Sequence, residues 1–301
     1  MNILDKLLLK LFNFLNIIIK TPKSIQYHIF DYFFVNRILK KRVNFDFNQK
    51  KIINDFFYKG FCKINNFKNF SKKVSEEINK QNPKLINHQK KFEITEQIKI
   101  ETQEFCNNEL RLLINDLNLF YGSNIFLGGI KISRNYDHDD SSDVYANKYH
   151  IDNNRLTLFK LFILLSDVDE NTGPTHIIEI KNNKRFVQET NYKSRSNYFE
   201  NKNSNMVYKN VGKFGDSLLC TTSRCFHRAG VVKNGYTRDM LTLTFVAYPK
   251  EVENYDIFHF LKNNDNQNQD WIFNKLSKSN SIIENFIVFF KYLNNIKLKK
   301  I

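Results

Sequence analysis

Past residue 120 the chain changes period: apolar and polar residues alternate in short runs rich in β-branched and aromatic side chains. Such runs occupy residues 125–133, 144–151, 156–165, 175–180, 206–211, 217–222, 226–232 and 240–247. About eight closely spaced strands with turn residues between them predict a β-sandwich or barrel rather than alternating βαβ units. Helical periodicity dominates before that point, with segments at 25–39, 49–58 and one long run over 94–117, and returns at 282–293. No internal repeat and no long Gly/Ser/Pro linker interrupts the chain. The simplest description is one β-core flanked by helices.

At the N-terminus, Leu4, Leu7, Leu8, Leu11, Leu15 and Ile18 recur at helical spacing, while Lys6, Lys10, Asn13 and Lys20 fall largely off that stripe. The interrupting charges, and the lack of a small-residue cleavage site after them, argue against an export signal or a membrane span. The stripe predicts an amphipathic helix for residues 1–20 that packs on its own domain or, alternatively, makes peripheral contact with a membrane. A cytoplasmic protein is expected.

Composition changes this picture little. The 301 residues are 42% hydrophobic, enough for a sizeable core, and carry a formal charge of +15. The basic residues are scattered rather than gathered into one stripe, and Lys, Asn, Ile and Phe are abundant in the manner of an AT-rich genome. No specific nucleic-acid partner is therefore expected. Cys62, Cys106, Cys220 and Cys225 fit no zinc spacing and are expected to be reduced, mostly buried thiols.

The candidate chemistry lies in the strand-rich middle. His150 and Asp152 stand two apart in a predicted strand, so both side chains share a face and can converge on one ion. His227, 75 residues on, could complete a two-His, one-carboxylate triad, a donor set suited to iron(II) with open coordination positions. A competing His-x-Asp, at His138 to Asp140, lies in the charged run 137–143 and reads as a solvated loop. After His227, Asn234-Gly235 predicts a two-residue type I′ hairpin turn. That turn would set Val231 opposite Arg238 and His227 opposite Thr242, with all four on one face. Arg238 would then lie ~13 Å along the face from the ligand's row, a gap that a five-carbon diacid and an Arg fork can span.

At these residues the chain resembles the phytanoyl-CoA dioxygenase family of iron/2-oxoglutarate oxygenases, whose pattern is His-x-Asp, a distal His and an Arg eleven residues later. The strand and turn over 160–174 and the helix-to-strand entry over 56–64 look similar too, and the likeness spans roughly 48–248. That span sets the bounds of a central domain (48–248) between a helical N-terminal extension (1–47) and a helical C-terminal extension (249–301). It departs at 179–184, where the family usually has a Pro-Gly-Ser-His segment, and at Ala229, where a Ser or Gly is common. The resemblance implies a mainly β protein with flanking helices on a double-stranded β-helix (jelly-roll, cupin-like) core. It implies iron(II) held by His150, Asp152 and His227, and 2-oxoglutarate held by Arg238 with Phe162 and Thr242 near it. O2 would be the oxidant, with hydroxylation of a C–H bond of a small-molecule or lipid-linked substrate and release of succinate and CO2. Lys160 shares the face of Phe162 by strand alternation and is expected to point inward, where the second carboxylate of 2-oxoglutarate or the substrate would be its partner. The alternatives are a non-catalytic metal- or ligand-binding module on the same fold, and a basic membrane-surface or nucleic-acid-binding protein.

Overall fold

The computed structural model describes residues 47–121, 123–138, 144, 146–152, 158–190 and 206–249. The expected helices at 1–20, 25–39 and 282–293 lie outside the described residues. In chain order the elements are α1 (Phe47–Asn54), continued by a π-helical turn (Asp55–Lys59), β1 (Phe61–Asn66), α2 (Lys68–Asn79), β2 (Leu85–Ile86), β3 (Gln89–Phe92), α3 (Glu96–Asn108) and α4 (Arg111–Tyr121). There follow β4 (Ser123–Tyr136), β5 (Leu158–Leu164), β6 (Thr175–Ile178), α5 (Asn183–Thr190), β7 (Val207–Asn210), β8 (Asp216–Cys220), β9 (His227–Arg228) and β10 (Thr237–Pro249). Among the described residues no helix is long and apolar enough to cross a membrane.

The strands form two antiparallel sheets. The large one runs β1-β8-β5-β10-β4-β3-β2 and the small one β7-β6-β9, which a bridge between His150 and His227 extends by one more segment. From β4 on the chain alternates between them: β4 large, His150 small, β5 large, β6 and β7 small, β8 large, β9 small, β10 large. That alternation is the winding of a jelly roll, so the expected mainly β, double-stranded β-helix architecture is what the chain adopts.

Each face of the large sheet has its own partner. Phe159, Leu161 and Ile163 of β5, Leu241, Leu243 and Phe245 of β10 and Ile130 and Ile132 of β4 turn outward into one apolar core with the helices. A bulge at Gly128, where Thr244 faces Gly129 but Phe245 faces Leu127, brings Leu127 and Ile125 onto that same outer face. The helices meet it with stripes: Phe70, Val74 and Ile78 on α2, and Ile98, Phe105 and Cys106 on α3. Phe70 stacks on Phe105 with ring centroids 4.0 Å apart.

Two sequence expectations need correction. The helix expected over 94–117 is two helices, because the chain turns at Glu109 and Leu110, both of whose amides bond back to the Phe105 carbonyl; the break buries Leu110. It starts on a Thr95 cap that accepts from the Ile98 amide. The strand expected over 144–151 is reduced to the single bridge at His150. All four cysteines are buried and free, as expected.

Candidate metal centre

His150 and His227 form a close antiparallel pair, each amide donating to the other's carbonyl, at 3.0 and 2.9 Å. Directly paired residues project their side chains to the same side of a sheet, and the two imidazoles lie 4.3 Å apart by ring centroids. Two residues on, Asp152 is anchored by its amide to the Thr222 carbonyl and aims its carboxylate between them. Its Oδ1 lies 3.5 Å from His150 Nε2 and 3.7 Å from His227 Nε2. Donors held at ~2.1 Å on adjacent corners of a metal's coordination shell sit roughly 3 Å apart, and all three donor atoms here lie within 4.8 Å of one another, a spacing that a small adjustment closes on an ion. The three residues are the His/Asp cluster that geometry marks as able to hold a metal.

The surroundings prepare each donor. His150 Nδ1 lies 2.8 Å from the Lys148 carbonyl and His227 Nδ1 lies 3.1 Å from the Cys225 carbonyl. A carbonyl only accepts, so each Nδ1 carries the hydrogen and each Nε2 keeps its lone pair for a metal. Burial pushes His227 down to about 4, against the pull of Asp152, and keeps the ring neutral. Burial alone would raise the Asp152 carboxyl. The His150 contact and the Lys160 and His227 charges outweigh it and hold the group well below the usual carboxylate range. Two imidazoles with Nε2 turned inward and one carboxylate fit a divalent transition metal.

Lys160 does point into the barrel. It reaches across from β5 to Asp152 Oδ2 at 2.5 Å, leaving Oδ1 aimed at the histidines. Phe162, next along this face, stands opposite Thr242 of β10 and packs with Phe61, Ile177 and Leu218 between the sheets. Arg238 lies on the same inward face of β10 as Thr242 and is 1% exposed; its guanidinium donates to the Gly173 carbonyl. His138 lies at the end of β4 with its ring 6.2 Å from that of His88 and is not one of the three clustered donors.

The structure places Arg238 by a different route from the one its spacing suggests. No hairpin joins His227 to Arg238, because β9 stays in the small sheet while β10 crosses to the large one, where β4 and β5 fill its ladder. The turn at Asn234-Gly235 is real: the Tyr236 amide donates to the Lys233 carbonyl at 3.0 Å. Only Gly235 has a positive φ, 81°, whereas a type I′ turn needs it at both central residues. What ties the two regions together is a close backbone approach. Gly173, at φ +72°, lies so near that a Cβ there would sit 2.6 Å from the Gly230 carbonyl oxygen, and this contact brings the Gly173 carbonyl onto Arg238. The segment 179–184, where the sequence leaves the family pattern, is a 3-10 turn leading into α5.

Sequence reasoning missed Lys91 and Lys131. For Lys131, which lies in the expected strand 125–133, alternation with Ile130 and Ile132 is the signal that could have found it; Lys91 lies in a strand the sequence pattern does not mark. By register, Lys131 faces Thr242, and Lys91 faces Ser133, which faces Met240; both lysines therefore share the inward face of Arg238 and Lys160.

No family model and no curated protein matches the chain. Solved structures do align with it. The non-heme α-ketoglutarate-dependent epimerase SnoN from nogalamycin biosynthesis is 10% identical over 66% of this chain and 83% of that one, at a TM-score of 0.48. HygX from Streptomyces hygroscopicus, with nickel and 2-oxoglutarate bound, is 12% identical over 65% and 86%, at 0.45. A prolyl hydroxylase from Trichoplax adhaerens is 18% identical over 66% and 89%, at 0.43. At these values they decide neither family nor function, which rest on the chain's own residues.

Proposed function

We propose that this chain is an iron(II)- and 2-oxoglutarate-dependent oxygenase of the phytanoyl-CoA dioxygenase type. The observation that carries the reading is the convergence of His150 Nε2, His227 Nε2 and Asp152 Oδ1, with Arg238 buried on the inward face of β10, the face from whose neighbour β5 Lys160 reaches Asp152. His150, Asp152 and His227 hold the metal, and Arg238 receives the far carboxylate of 2-oxoglutarate through its planar fork. Thr242 and Phe162 line the space between, one polar and one apolar. When bound, iron(II) would supply oxygen activation coupled to decarboxylation of 2-oxoglutarate to succinate and CO2, with hydroxylation of a C–H bond in a small-molecule or lipid-linked substrate.

The rest of the work falls to the protein. The carbonyls of Lys148 and Cys225 hold each imidazole in its ligating tautomer. Lys160 fixes the rotation of the Asp152 carboxylate by occupying its second oxygen. Phe162, Ile177 and Leu218 form a dry wall between the sheets.

The direct test is anaerobic binding of iron(II) and 2-oxoglutarate, followed by measurement of succinate on exposure to oxygen. Wild-type protein should bind both and form succinate, whereas His150→Ala and Asp152→Ala should form none. Undiminished turnover in both variants would sink the proposal.

A further inference from the structure

The inward faces of β3, β4, β5 and β10 are unbalanced in charge. Register places Lys91, Lys131, Lys160 and Arg238 there and no carboxylate; among the described residues the acid that meets them is Asp152, which Lys160 contacts. Four cations thus meet one anion. A divalent metal and dianionic 2-oxoglutarate cancel each other, so loading the site leaves three positive charges over.

The four cations are not equivalent. Lys160 is engaged by Asp152, and Arg238 is deeply buried with its guanidinium on Gly173. Lys91 and Lys131 are the exposed pair on the same face, and neither makes a salt bridge among the described residues. Desolvation and the charges of Lys91, Lys160 and Arg238 lower the Lys131 pKa, although its side chain is exposed. Like charges held together in this way raise the energy of the empty cavity, and an anion entering it relieves them.

We infer that the primary substrate carries a phosphate ester, bound by Lys91 and Lys131 where they stand exposed on the inward face of β3 and β4. Phosphate suits the arrangement better than a single carboxylate. A monoester carries close to two negative charges at neutral pH, and two lysines from neighbouring strands act as separate point charges rather than as one planar fork. The assignment rests on the oxygenase reading, because it gives Arg238 and the metal to the co-substrate and leaves the two lysines for the substrate.

The test uses the full chain loaded with nickel(II), which binds without turnover, and 2-oxoglutarate. Binding of 2-oxoglutarate is measured first, and its absence would defeat the oxygenase reading before any phosphate is added. Glycerol 3-phosphate is then titrated calorimetrically into wild type and into the Lys91→Met/Lys131→Met double variant, with glycerol as the uncharged control. The expected result is binding on top of 2-oxoglutarate, weakened by at least about tenfold in the double variant and by added salt, with none for glycerol. A second arm replaces the soluble ester with phosphatidylcholine vesicles containing phosphatidic acid. Lysine-dependent vesicle binding that exceeds binding of the soluble ester assigns the phosphate to a lipid headgroup, and the reverse assigns it to a soluble metabolite. Either result supports the inference. Equal affinity in wild type and double variant, displacement of 2-oxoglutarate by the ester, or binding of neither phosphate form would overturn it. Thermal melting of the double variant shows whether it folds, and the loss of like-charge repulsion predicts a melting temperature at or above that of wild type.

Discussion

Along β5, Phe159, Leu161 and Ile163 turn toward the helices, while Lys160 and Phe162 turn toward the small sheet. β10 repeats the division with Leu241 and Leu243 outside and Arg238 and Thr242 inside, and β4 with Ile130 and Ile132 outside and Lys131 inside. The two faces of one sheet thus follow different rules. The outer face is apolar and closed by α2 and α3, and the half-buried Arg134 there is matched tightly: it meets Asp239 through two contacts of 2.7 Å. The inner face gathers more cations than the described residues around it neutralise. Because side chains alternate with a period of two, a single strand can encode stability at odd positions and ligand chemistry at even ones.

The largest effect that would break this comparison is on the outer face. Leu161 is fully buried, so Leu161→Ala should cost ~2–5 kcal/mol in urea unfolding, while the folded fraction still binds one metal ion. A variant that loses metal with little loss of stability would show that the faces are not separate.

The next effect concerns pH. His227 has a folded pKa of about 4, below its ordinary value of 6.5, so between those values the unfolded chain takes up a proton that the folded chain refuses. Stability is therefore full above pH 6.5 and falls as the pH drops toward 4, by on the order of 3 kcal/mol for this residue alone. His176, lowered to about 3 by burial and the Arg228 charge, adds to the slope in the same direction. Metal-free protein unfolded by urea across this range should show the slope, and His227→Gln should reduce it. A profile identical in wild type and variant would contradict the burial of a neutral imidazole.

How much of this was legible in the sequence follows from the same period-two rule. Seven of the eight expected strands coincide with strands, because alternation is local; His150 and Asp152 converge although their segment makes only one bridge, held by the pairing of His150 with His227 and by the Asp152 amide on the Thr222 carbonyl. The route to Arg238 was not legible. Asn234-Gly235 is a strong hairpin signal, but the jelly roll sends the flanking segments to different sheets, and nothing local to a turn reports that crossing. The helix α2 was missed since only three large apolar residues mark its stripe. Lys131 is not legible because a lysine between Ile130 and Ile132 reads as the wet side of a half-buried sheet, whereas here that is the side from which Lys160 reaches Asp152.

Lys160 tests whether the inner face orients the metal ligands. Lys160→Met removes the partner of Asp152 Oδ2 and should weaken metal binding by ~10–100-fold, measured by competition with a chelator, with little change in melting temperature. Unchanged metal affinity would reduce the contact to a passive ion pair.

The smallest effects separate the faces most sharply, because they involve the same kind of substitution on the same strand. Arg134→Met on β4 leaves Asp239, a buried carboxylate, without its bidentate partner. It should cost about 1 kcal/mol, with metal and 2-oxoglutarate affinities unchanged. Lys131→Met, three residues earlier and facing inward, removes a cation that lies among other cations. It should leave stability unchanged or raise it by a few tenths of a kcal/mol, most visibly at low salt. Urea unfolding of the two variants at low and high salt checks the pair. Opposite signs are expected only if the outward charge is matched and the inward one waits for an anion, whereas a loss of stability in both would mean that Lys131 is already neutralised within the protein.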